Sequence, residues 1–137
     1  MRYIVLRHTT LGIIALLAVA LLVGACGSAG GQSSGNPTEV QVTLSEFKIE
    51  SPQTTFETGT PYRFAIKNEG TISHDWAIMP RGGTDASQAL VQVDEDELPP
   101  GATVTQEFTF TQAGDFEFAC HVAGHYEAGM LLPITVQ

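Results

Sequence analysis

Several things are scarce in this sequence of 137 residues, and each scarcity narrows the reading. Basic residues number only six against 15 acidic ones, which excludes a nucleic-acid-binding surface, since phosphate contacts need clustered Lys and Arg. Only two cysteines are present, Cys26 and Cys120, so a single disulfide between them is the one candidate pairing outside the cytoplasm. No Ser/His/Asp set stands at a recognisable spacing, and there is no metalloprotease helix signature or phosphate-binding glycine loop. After the N-terminal region no stretch carries a helical stripe of period 3.6, and no internal repeat is evident. The longest apolar run, Leu11 to Val23, is short of the roughly 20 residues that cross a bilayer as a helix.

That run belongs to a leader. Arg2 and Arg7 precede it, and Val23-Gly24-Ala25-Cys26 closes it, the order of charge, apolar stretch and small residues that marks a secretion signal. The closing residues resemble a lipobox, which implies that residues 1–25 are a lipoprotein signal peptide and that Cys26 is lipidated. An ordinary leader in which Cys26 is incidental, or an uncleaved anchor, is the competing reading. Residues 26–38, rich in Gly and Ser, read as the lipidated cysteine and a flexible tether. A dozen such residues reach about 40 Å when extended and about 20 Å on average. The expected place is therefore extracytoplasmic, on a bacterial membrane.

The remainder, 39–137, is one domain's worth of chain. Both leader arginines leave with the signal, so four basic residues face 15 acids in the mature chain. Such a charge keeps an exported protein soluble and could steer a basic partner. Apolar residues alternate in Val40–Leu44, around Phe47 and Ile49, in Tyr62–Ile66, in Val104–Phe110 and in Phe116-Glu-Phe118-Ala-Cys120. Trp76–Met79 is continuously apolar up to Pro80, and Leu132–Val136 makes a last strand. Short strands broken by Gly, Pro and Asn predict an all-β sandwich. Ala86–Val93 could form a helical turn or a loop, and Asp94–Glu97 a solvated loop.

Cys120-His-Val-Ala-Gly-His125-Tyr-Glu-Ala-Gly-Met130 is the segment that carries chemistry. With Cys26 modified, Cys120 is a lone thiol in an oxidising compartment, which asks for a use. Thiolate, imidazole and thioether together suit copper, and a His₂Cys set with a weak Met bond is the blue-copper arrangement. The segment offers one thiolate, one thioether and a choice of imidazoles. The only other histidine after the leader is His74. His121 adjoins Cys120, and neighbours on a strand point to opposite faces, so it is expected to face away from the metal. Zinc is disfavoured by the thioether.

Residues 39–137 resemble the small cupredoxins, a family that includes plastocyanin, azurin, auracyanin and the sulfocyanin/rusticyanin group. The resemblance rests on Gly114-Asp-Phe116-Glu-Phe118-Ala-Cys120, on the Cys-x4-His-x4-Met loop and on an earlier histidine. It implies a Greek-key β-sandwich of about seven or eight strands. It also implies one copper ion cycling between Cu(I) and Cu(II), with His74 and His125 as imidazole ligands, Cys120 as thiolate and Met130 as axial thioether. Asp75 departs from the family, where an Asn commonly follows the first histidine and ties the ligand loops together. The function implied is that of a monomeric electron carrier between membrane-associated redox proteins, such as a cytochrome or a membrane oxidoreductase, and not of an enzyme. A copper-delivery protein on the same fold is the alternative.

Overall fold

The computed structural model describes residues 35–137. The expected leader, Cys26 and the first part of the expected tether lie outside the described residues. Among the described residues nine strands form two sheets. The first sheet contains β1 (Thr38–Ser45), β2 (Lys48–Glu50), β4 (Pro61–Asn68) and β7 (Thr103–Thr109), in the spatial order β2-β1-β4-β7. The second contains β3 (Thr55–Phe56), β5 (Trp76–Pro80), β6 (Val91–Val93), β8 (Gly114–Ala119) and β9 (Leu131–Val136), in the order β3-β9-β8-β5-β6. Pairing is antiparallel except for β1 with β4 and β3 with β9, as a Greek-key path requires when strands cross between sheets.

This is the expected sandwich, with more strands than the seven or eight anticipated. The difference lies in β3 and β6, which are two and three residues long and too short to show a period of two. The turn at Phe47 also differs from expectation. Ile49 is buried in β2, but Phe47 sits in the preceding turn, half exposed and with a φ of 57°. Ala86–Gln88 forms one 3-10 turn leading into β6, and Glu95–Glu97 forms another, solvent-facing one.

The core lies between the sheets and is largely aromatic. Phe56 meets Tyr62, Phe64, Phe110 and Phe118 at ring separations of 5.0–5.8 Å. Trp76 packs on Phe64 and Phe118. Burying one such side chain is worth roughly 1.5–3 kcal/mol, about the cost of leaving one buried polar atom without a partner. The core can therefore offset a buried polar site at its edge. β5 is buried on both faces: Trp76 and Ile78 face the core, whereas Ala77 and Met79 pack outside it with Ala119, Tyr126 and Leu131. That explains its unbroken apolar run.

Register places four connections at one end of the sandwich. β1 and β4 finish together at Leu44 and Asn68, β7 begins beside Lys67, and Ala77 at the start of β5 faces Ala119 at the end of β8. The 45–47 turn, the 69–75 and 98–102 loops, and the 120–130 loop therefore meet there. The chain enters the sandwich at the opposite end, where Thr38 pairs with Tyr62.

Candidate metal centre

Each side chain at this end is held by backbone contacts. The 69–75 loop is organised by Asn68, fully buried, whose side-chain amide donates to the carbonyls of Ile72 and Leu98 at 2.8 Å each and whose Oδ1 accepts from Gly70 N–H. His74 N–H donates to Leu98 O at 3.2 Å. The 120–130 loop is closed at its base by Cys120 N–H donating to Met130 O, and within by Met130 N–H donating to His125 O. It doubles back through Gly124 and Gly129, with φ of 84° and 92°, a left-handed conformation that costs little only for glycine.

The folding brings His74, Cys120 and His125 together. Their facing atoms are Nδ1 of each imidazole, 3.3 Å apart, and Cys120 Sγ, 3.3 Å from His125 Nδ1 and 4.0 Å from His74 Nδ1. Bonds of about 2.0–2.3 Å from a central ion would set trigonal donors about 3.5–3.7 Å apart. The observed spacings bracket that range. His74, Cys120 and Met130 are fully buried and His125 is 6% exposed. Among the described residues this is the one cluster of three or more His, Cys, Asp or Glu side chains close enough to share an ion.

His121 lies elsewhere. Its ring stacks on Tyr126, 5.2 Å away and nearly parallel, on the outer side of the second sheet. Its backbone is part of the site, since His121 N–H donates to Asp75 Oδ1 at 2.7 Å. Asp75 thus supplies the tie between ligand loops that the family's Asn provides. Tyr126 donates to the buried Glu117 carboxylate at 2.7 Å, a bond that pushes its phenol up to about 12.

Two more residues border the site that sequence reasoning did not single out. Glu46 Oε1 accepts from both the N–H and the hydroxyl of Thr71, bonds that bring its carboxyl down to about 2. The edge-to-face contact of Phe47 with the His125 ring, at 5.3 Å, covers the one ligand that reaches the surface. A φ of 57° is rare for a bulky residue, and that departure has no signature in sequence. Gly70 fills a tight corner: a Cβ there would stand 2.9 Å from Glu46 Oε1 and 3.1 Å from His74 Nε2.

The electrostatics prepare the donors for a metal. Burial, and then the neighbouring His125, lower the His74 pKa, keeping the ring neutral and its lone pair free. Burial, and then the Asp75 carboxylate, push the Cys120 thiol up to about 12. A neutral thiol beside the neutral His74 ring becomes a strong donor once an ion displaces its proton. Soft thiolate with imidazole suits copper and zinc alike, the buried thioether of Met130 in the same loop favours copper, and copper, one ion, is the cofactor of this centre.

The whole arrangement is that of a cupredoxin, and the match extends beyond the site. The family model for the cupredoxin-like domain matches residues 13–132, and the chain belongs to that family. It is 31% identical to the copper-resistant cuproprotein CopI of Rubrivivax gelatinosus, over 78% of this chain and 71% of that one. It is 24% identical to the protein of the same description from Pseudomonas aeruginosa, over 89% and 94%. Reduced auracyanin from Roseiflexus castenholzii has the same fold, with a TM-score of 0.60 and 22% identity over 75% of this chain and 99% of that one.

Proposed function

We propose that this protein is a type 1 copper electron carrier in which His74, Cys120 and His125 form the trigonal ligand set and Met130 is the axial ligand. The observation that carries the reading is the closure of the site. Three donors converge at 3.3–4.0 Å, and all four side chains are buried or nearly so. Copper supplies a one-electron couple. The protein's residues hold the donors in fixed positions, so that little need move when the charge changes, and they fill the positions a substrate would occupy. His125, with its slight exposure beneath Phe47, is the shortest route from the centre to a partner.

The chain enters the sandwich at the end away from the metal, at the start of an eight-residue strand roughly 25 Å long. With Cys26 lipidated and residues 27–38 as tether, an exported, membrane-anchored domain would present its metal end outward. Partners would then be redox proteins working near the membrane.

Copper delivery is the second reading, favoured by two relatives that carry the description copper-resistant cuproprotein. A chelator challenge separates the two. A carrier keeps its copper through repeated one-electron reduction and reoxidation in the presence of a mild Cu(I) or Cu(II) chelator. Loss of the ion within the first cycles would favour delivery.

A further inference from the structure

We propose that Asp75 is a positioning and tuning residue whose buried carboxylate biases the copper centre toward Cu(II) and so lowers its reduction potential. This rests on the reading of the centre as a copper site. Asp75 is 6% exposed, follows His74 directly and accepts a hydrogen bond from the N–H of the residue after Cys120. Its side chain is therefore locked between two ligands. Among the described residues, the cations engaged in ion pairs are Lys48, Arg63, Lys67 and Arg81, and their partners are other acids. A buried charge without a counter-charge is unfavourable, so the carboxylate needs a positive neighbour that the described residues do not supply.

The metal centre is that neighbour in one oxidation state only. A thiolate, two neutral imidazoles and a thioether around Cu(II) carry a net charge of +1, and around Cu(I) a net charge of zero. A fixed negative charge attracts the first and is indifferent to the second. The amide usual in the family makes the same backbone tie without the charge, so the two roles of this position are separable.

Asp75→Asn keeps a side-chain oxygen for His121 N–H and removes the charge. In the full-length protein its Cu(II) affinity should fall tenfold or more while its Cu(I) affinity stays unchanged. The midpoint potential then rises by about 59 mV for each factor of ten. Asp75→Ala, which also loses the tie, should weaken both oxidation states. Equal affinities of the Asn variant and the parent, or an equal loss in both states, would overturn the proposal. The metal-free proteins give a readout independent of copper. Asp75→Asn should raise the thermal midpoint by removing an uncompensated buried charge, and a lowered midpoint would contradict that. If neither parent nor variant showed thiolate-to-copper colour, the electron-carrier reading would fail on its own, leaving the metal-free result to decide the status of the carboxylate.

Discussion

In the metal-free protein Cys120 is a thiol, held up to about 12 by burial and then by the Asp75 carboxylate, whereas the copper-bound form requires a thiolate. His74 is neutral above the ordinary histidine value of about 6.5, because burial lowers it further. Loading with Cu(II) at pH 7–8 should therefore release about one proton per ion, from Cys120, and apparent affinity should rise about tenfold per pH unit in that range. A pH-stat titration measures the release directly. No proton released would mean the thiolate already exists in the metal-free protein, against the environment described for it. His121 illustrates how finely direction matters at this scale: one residue from Cys120, it contributes a backbone N–H to the site while its ring stacks on Tyr126 outside it.

Among the elements, the turn between β1 and β2 does most to brace the site from outside the ligand loops. Glu46 grips Thr71 in the His74 loop, and Phe47 lies against His125. The Glu46 carboxyl is lowered from 4.5 to about 2, first by the Thr71 N–H and then by its hydroxyl. A depressed folded value contributes stability above the unfolded pKa, and the contribution is lost as pH falls through the folded one. Metal-free protein should thus lose stability between about pH 4.5 and 2 through this group, and Glu46→Gln should flatten that part of the profile. Urea midpoints measured across the acid range would show it, and an unchanged slope would remove Glu46 from the bracing role.

This turn also marks how far the sequence could be read. Alternation revealed the long strands, and the spacing from Gly114 to Met130 with the single remaining histidine pointed to the donors that the fold brings together. The residues facing those donors from other connections, Glu46, Phe47 and Asn68, carried no such mark. Their roles depend on how two sheets stack and which loops then touch, and at Phe47 on a left-handed turn that local propensity disfavours.

At the scale of the whole molecule, a mostly aromatic core holds two sheets whose loops at one end converge on a nearly closed donor set, while the chain enters at the other end. Four basic residues against 15 acids within residues 35–137 give the domain a strongly negative field, which favours association with basic partners at low ionic strength. The division of ends suits the tethered carrier proposed above, whose working surface would be the metal end. The carrier reading requires that Cys120 bind copper as a thiolate in a centre that changes charge by one electron. The direct measurement is the absorption spectrum of copper-loaded protein beside Cys120→Ser. The expected result is an intense blue or green thiolate-to-copper band that bleaches on one-electron reduction, returns on reoxidation, and is missing from the Ser variant. A colourless copper-loaded parent, or a band that survives in Cys120→Ser, would contradict it.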